Sequence, residues 1–212
     1  QSLKKVIKLK KMQNFKNAKI IYCPPFTLLD QFYKKIKNTQ IELGAQNCHF
    51  NFEFGPFTGA VNSKMIKNVG CKYVILGHSE NRNSGESDKL INLKLKSCLK
   101  QKLKIILCIG ETLKEKRNNK TNYILKKQLI NGMKNIKNKK NIIFAYEPVW
   151  SIGTGVIPKS RDLEKQVTQI KNFIKQKFKI KDAKVLYGGS VNPKNASILK
   201  QISSINGFLI GG

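Results

Sequence analysis

Seven short apolar runs punctuate the 212-residue chain, and amphipathic stretches faced with lysine fill the intervals between them. The runs are Lys19–Cys23, Gln40–Ala45, Tyr73–Gly77, Ile105–Ile109, Ile142–Tyr146, Lys184–Tyr187 and Gly207–Ile210. Each is nearly continuous in hydrophobicity rather than alternating, the pattern of strands covered on both faces in a parallel sheet. Helices are expected near 26–37, 60–69, 88–101, 121–137, 161–177 and 193–201. Another over 2–13 would set Leu3, Val6 and Ile7 on one face. Repeated βα units of this length leave two architectures, an open doubly wound sheet or a (β/α) barrel. No G-x-G-x-x-G follows the first run, which counts against a dinucleotide-binding sheet. Glycine or polar residues follow nearly every run, as in a barrel whose loops at the carboxyl ends of its strands carry function. No linker or low-complexity tract divides the chain, so one domain over residues 1–212 is expected. Seven runs is one fewer than a closed eight-stranded barrel needs, and the fold class is read as α/β, an incomplete (β/α) barrel.

Composition removes several classes of function. No run of 18 apolar residues exists, so no membrane span is expected. The N-terminus lacks an apolar h-region and a small-residue cleavage site, which excludes a signal peptide; a basic amphipathic helix lying on a membrane is the minority reading. The five cysteines (Cys23, Cys48, Cys71, Cys98 and Cys108) are scattered, odd in number and never spaced as CxxC. With only His49 and His78 beside them, no metal is expected, and reduced thiols in a cytoplasm are the natural reading. The net charge of +29 and a pI near 10.1 are a footprint of nucleic-acid binders. Yet only Arg82, Arg117 and Arg161 are arginines, and lysines lie along every expected helix among many asparagines. Clustered arginine, stacking aromatics and an RNP-like strand are all missing. Compositional drift toward lysine accounts for the charge, with no nucleic-acid partner and a general attraction for phosphorylated ligands.

The chemistry concentrates in 142–156, IIFAYEPVWSIGTGV. A buried strand ends in the carboxylate of Glu147, a Pro-Val-Trp corner follows, and the tip Ile152-Gly153-Thr154-Gly155 has the composition of a mobile lid. By position alone a structural carboxylate and a catalytic base are equally favoured; the attached lid tips the balance to catalysis. His78 also follows an apolar run, in Gly77-His78-Ser79-Glu80, where a helix starting behind it would favour a neutral imidazole able to donate a hydrogen bond. A lone histidine is more often structural, and His49, among Phe50, Phe52, Phe54 and Phe57, is read that way or as interfacial. Gly188-Gly189-Ser190 and Gly211-Gly212 follow the last two runs, where barrels commonly seat a phosphate on main-chain amides. A base, a neutral donor and an uncharged phosphate cradle together describe proton abstraction next to a carbonyl under a lid that excludes water.

The strings CPPFT (23–27), LGAQN (43–47), FTGAV (57–61), YVILGHSE (73–80), GESD (85–88), ILCIGET (106–112), AYEPVWSIGTG (145–155), YGGSV (187–191) and GFLIGG (207–212) resemble the triosephosphate isomerase family. They occur in family order over nearly the whole chain, and YEPVW with IGTG and the GHSE segment are the most specific. The resemblance implies a barrel of the triosephosphate isomerase type and interconversion of dihydroxyacetone phosphate and glyceraldehyde 3-phosphate, with no cofactor. It implies Glu147 as base, His78 as electrophile, and Gly153, Ser190, Gly211 and Gly212 around the phosphate of the triose substrate. It also implies a homodimer in which Thr58, on a loop over 48–61, reaches the neighbouring active site; Phe50, Phe52, Phe54 and Phe57 suit such an interface.

The chain departs from the family pattern at both ends. It lacks the first strand with its Asn-x-Lys motif and the final helix, and the segment 81–85 is about one residue short. Loss of the motif's cation is expected to cost ~10²–10³-fold in rate, with Lys4, Lys5 and Lys8 as candidate surrogates. Lys19–Cys23 and Gly207–Ile210 would be left as edges for the N-terminal segment or a second subunit to cover. Competing expectations are another phosphosugar isomerase or synthase, an inactive barrel remnant serving assembly or ligand binding, and a basic nucleic-acid-binding domain.

Overall fold

The computed structural model describes residues 18–211, and its strands are Ile21–Tyr22 (β1), Glu42–Ala45 (β2), Tyr73–Leu76 (β3), Lys104–Ile109 (β4), Ile142–Tyr146 (β5) and Val185–Tyr187 (β6). The helices are Leu29–Ile36 (α1), Ser63–Val69 (α2), Ser79–Asn83 (α3), Asp88–Lys100 (α4), Leu113–Arg117 (α5), Thr121–Gly132 (α6), Ser160–Phe178 (α7) and Ala196–Lys200 (α8). The expected helix over 2–13 lies outside the described residues. All of β3 is buried, and so is β4 after Lys104, the outcome that a continuous apolar run requires. The residues fall into two compact units. The first runs to Leu76 and takes in Leu93–Ile105; the second comprises Gly77–Asn92 and the chain from Ile106 on.

In the first unit β1 pairs in parallel with β2 (Ile21 with Glu42, Tyr22 with Leu43) and β2 with β3 (Gly44 with Tyr73, Ala45 with Val74). The start of β4 joins through the Lys104 N–H, which donates to the Lys72 carbonyl at 2.9 Å. Helix α1 buries Leu29, Phe32 and Ile36, one stripe at helical spacing, and Phe32 stacks on Tyr22 with ring centroids 4.9 Å apart. Asn62 caps α2 by accepting the Met65 N–H, and Gly70 closes it in the left-handed region at φ +105°. At the amino ends of the strands Glu42 takes ion pairs from Lys19 (3.0 Å) and Lys72 (3.3 Å).

In the second unit the Glu147 N–H donates to the Ile109 carbonyl at 2.8 Å, and β5 pairs in parallel with β6, Phe144 with Val185 through Tyr146 with Tyr187. Helix α7 turns Leu163, Val167, Ile170, Ile174 and Phe178 inward, spaced by three or four residues along one face. Within each unit the strands lie in the order in which the chain makes them. Among the described strands of each unit the reversal of order that defines a doubly wound sheet does not occur.

Several expectations change. Gly207–Ile210 is not a strand: it forms one parallel bridge, Phe208 with Tyr187. The Asn206 side chain accepts the Val185 N–H at 3.0 Å, taking a donor that a continuous ladder would use. The helix expected to reach 137 stops at Gly132, because Asn135 turns left-handed at φ +59°. The helix expected from 193 begins at Ala196 because Asn192 and Asn195 bond each other in a side-chain turn. A short helix does start behind His78 (α3), and the short helix α5 was not expected.

Candidate functional site

In the second unit the residues that follow β3, β4 and β5 come together. Glu147 leaves β5 almost wholly buried, 3 % exposed. Its Oε1 lies 3.4 Å from His78 Nε2, and its Oε2 accepts the Ser79 N–H at 3.4 Å. Burial raises the carboxyl above its ordinary value, opposed in part by His78, a hydrogen bond from the Cys108 thiol, the Ser79 N–H and the Arg82 charge. Two glycines make room for this residue. A Cβ on Gly110 would collide with the Glu147 carbonyl, and one on Gly188 would stand 2.7 Å from Glu147 Cγ.

His78 occupies the N-cap of α3, and its Nδ1 accepts the Glu80 N–H at 3.4 Å. A neutral ring with Nδ1 as acceptor carries its proton on Nε2, the atom that faces Glu147. The preceding Gly77 sits in the left-handed region at φ +70°, a conformation that side chains disfavour. Its carbonyl accepts from Arg82 Nε at 2.7 Å. The same guanidinium donates to the Cys108 carbonyl at 3.2 Å and pairs with Asp88 at 2.6 Å.

After Glu147 the chain makes a 3-10 turn, Val149–Ser151, and then the glycine-rich tip. Trp150 Nε1 donates to Glu111 Oε1 at 2.9 Å, and the Tyr146 hydroxyl donates to the same oxygen at 3.2 Å. Glu111 is buried, which raises its carboxyl value against the pull of those hydrogen bonds. Lys116 Nζ stands 3.3 Å from the Trp150 ring centroid. The far end of the tip is latched. The Gly155 N–H donates to Ser190 Oγ at 3.0 Å, Ser190 Oγ donates to the Ser151 carbonyl at 2.6 Å, and Ser151 Oγ meets the Tyr187 hydroxyl at 3.0 Å.

The expected base and electrophile are therefore adjacent, and Gly153 is exposed on the tip at φ +69°. Ser190 bridges the tip and the loop after β6. Gly211 is exposed beyond the Phe208 bridge. Gly212 and the candidate cations Lys4, Lys5 and Lys8 lie outside the described residues. Thr58 is exposed in the first unit, on the segment between His49 and Asn62. Among the described residues no group of three or more His, Cys, Asp or Glu side chains could hold a metal ion, and no helix is long and apolar enough to cross a membrane. Glu111, Arg82, Cys108 and Ser151 escaped the reading of the sequence. Glu111 carried a usable signal: Gly110-Glu111-Thr112 repeats the strand–glycine–polar pattern of Gly77-His78-Ser79.

The family model described as triosephosphate isomerase matches residues 1–212. The triosephosphate isomerase of Saccharomyces cerevisiae is 41% identical over 217 residues, covering 100% of this chain and 87% of its own. That of Alkaliphilus oremlandii is 38% identical over 201 residues, covering 92% and 81%. The crystal structure of triosephosphate isomerase from Bartonella henselae superposes with a TM-score of 0.83 at 37% identity, over 91% of this chain and 78% of that one. The fold class is accordingly α/β, an incomplete (β/α) barrel of the type that structure carries.

Proposed function

The chain belongs to the triosephosphate isomerase family, and on that footing we propose that it interconverts dihydroxyacetone phosphate and glyceraldehyde 3-phosphate through an enediolate. One observation carries the reading: a buried carboxylate, Glu147, lies 3.4 Å from the Nε2 of His78. Glu147 takes a proton from the carbon next to the substrate carbonyl and returns it to the neighbouring carbon. Burial raises its basicity toward the working pH, which favours that transfer. His78 donates from Nε2 to the oxygen that gains charge and passes a proton between the two substrate oxygens. Only protons move, so the reaction calls for no redox cofactor.

The phosphate is held by uncharged donors: the amides of Gly153, Gly211 and Gly212, with Ser190. The latched tip excludes water and keeps the enediolate from losing phosphate. A homodimer is part of the proposal, with Thr58 reaching the neighbouring site. It is supported by Phe50 and Phe54, which are 37% and 61% exposed on the same segment. A cytoplasmic setting is supported by five free thiols.

The test is a coupled assay with glyceraldehyde 3-phosphate on the chain and on Glu147→Gln. Turnover in the parent that falls by about 10²–10⁴-fold in the variant supports the proposal. The same background rate in both identifies an inactive remnant instead.

A further inference from the structure

We propose that Arg82 is a positioning residue for the His78–Glu147 pair, its guanidinium fork fixing the turn that carries the imidazole and Asp88 balancing its charge. The inference rests on the isomerase reading and deepens it. Arg82 holds that turn twice. Its main-chain N–H donates to the His78 carbonyl at 3.0 Å, and its Nε donates to the carbonyl of Gly77, the residue immediately before the imidazole, at 2.7 Å. A second arm of the fork reaches the Cys108 carbonyl at 3.2 Å, and Cys108 is itself a hydrogen-bond partner of the Glu147 carboxylate. The third arm meets Asp88 at 2.6 Å. One planar cation thus ties together the backbone behind the electrophile and the backbone behind a partner of the base.

The fit is close. A Cβ on Gly77 would stand 3.0 Å from Arg82 Nη2 and 3.1 Å from the Cys108 carbonyl, so glycine lets the guanidinium approach. The Arg82 and Asp88 side chains are 17% and 15% exposed, and Asp88 Oδ2 also accepts from Asn131 at 3.3 Å. Lysine presents one compact ammonium and cannot address three acceptors in a plane. Arginine is scarce here, three residues among 41 basic side chains, and one of them stands at the position where a fork is needed.

The guanidinium also acts on Glu147 through its field. The groups facing that carboxylate are His78, the Ser79 N–H, the Cys108 thiol and Arg82, and each of them favours its ionised form. Removing the Arg82 charge therefore shifts Glu147 toward protonation. Removing the Asp88 charge unscreens Arg82 and shifts it the other way.

The experiment compares kcat, KM and the pH profile of kcat/KM for the parent, Arg82→Lys, Arg82→Gln and Asp88→Asn with one substrate. Titration of the substrate phosphate then cancels between variants. Arg82→Lys keeps the charge and loses the fork: kcat should fall about 10- to 100-fold, as for a misplaced catalytic group, with KM within about twofold and the acid limb in place. Arg82→Gln should add a shift of the acid limb to higher pH, and Asp88→Asn a shift to lower pH. A merely structural loosening would move both limbs alike. Unchanged kcat in Arg82→Lys, or one acid limb common to Arg82→Gln and Asp88→Asn, overturns the proposal. Should Arg82→Gln fail to fold, Arg82→Lys and Asp88→Asn still decide it. An inactive parent sinks the isomerase reading alone. Carbon-13 NMR titration of the Glu147 carboxyl in the same variants would then read the opposite shifts without turnover.

Discussion

Glu147 is held where a carboxylate is least comfortable, and that discomfort is measurable. Its folded value lies above the ordinary one, so the folded state keeps the proton to higher pH than the unfolded chain does. The contribution to stability is therefore full at low pH and declines as pH rises through the interval between the two values. Glu147→Gln, which cannot titrate, should melt at a higher temperature than the parent at pH 7 and within about 1 °C of it near pH 4, by thermal scans at both pH values. Gly188→Ala probes the same residue sterically. The new methyl would meet Glu147 Cγ at 2.7 Å, and displacing the base by a fraction of an ångström should lower kcat by about 100-fold. His78 and Glu147 were legible in the sequence because each directly follows an apolar run and its meaning is local. Glu111 was not, because its partners Tyr146 and Trp150 stand 35 and 39 residues away. Arg82 was not, because two of its acceptors are main-chain carbonyls, of Gly77 and Cys108, which side-chain identity does not reveal. Nothing in a one-dimensional pattern announces such a pairing.

Among the elements, the glycine-rich tip is fastened at two places whose chemistry differs. Glu111 receives the Trp150 indole and the Tyr146 hydroxyl in a buried setting, whereas Ser190 holds Gly155 near the surface. Ser190→Ala removes an acceptor for Gly155 and a donor to Ser151, each bond contributing about 1 kcal/mol. Stopped-flow and steady-state kinetics should show kcat/KM down about tenfold or more, with the melting temperature lower by about 2–4 °C for each kcal/mol lost. Helix α7 ends on Lys179 at φ +60°, a left-handed cap that glycine adopts without strain. Lys179→Gly should stabilise the fold by about 1 kcal/mol in urea titrations. Element identity was readable wherever packing on both faces forced a continuous apolar run, as in β3, β4 and β5. Boundaries were not, because they are decided by side-chain turns such as Asn192–Asn195 and by single left-handed residues such as Asn135. The segment 207–210 belongs with the boundaries: its apolar content is genuine, but its pairing with β6 is confined to the Phe208–Tyr187 bridge.

At the scale of the whole molecule the net charge of +29 sets the electrostatics. Like charges spread over one small protein repel, and added salt screens them with a Debye length of about 10 Å at 0.1 M. The melting temperature should therefore rise between 20 and 300 mM sodium chloride. An anionic substrate would be drawn in by the same field, so kcat/KM for the triose phosphate should fall over that range while kcat stays level. Both are read from one salt series, and a flat kcat/KM would rule out steering. Composition announced this field but could not locate its exceptions. The arginine codons AGA and AGG each differ by one base from a lysine codon, so an arginine encoded that way stands a single mutation from its more abundant neighbour. Arg117 and Arg161 are exposed and should accept that exchange freely under selection for growth on the enzyme. Position 82 should not: a codon-randomised library grown under such selection would be recovered almost entirely as arginine there, a genetic signature of three carbonyl and carboxylate oxygens arranged around one flat cation.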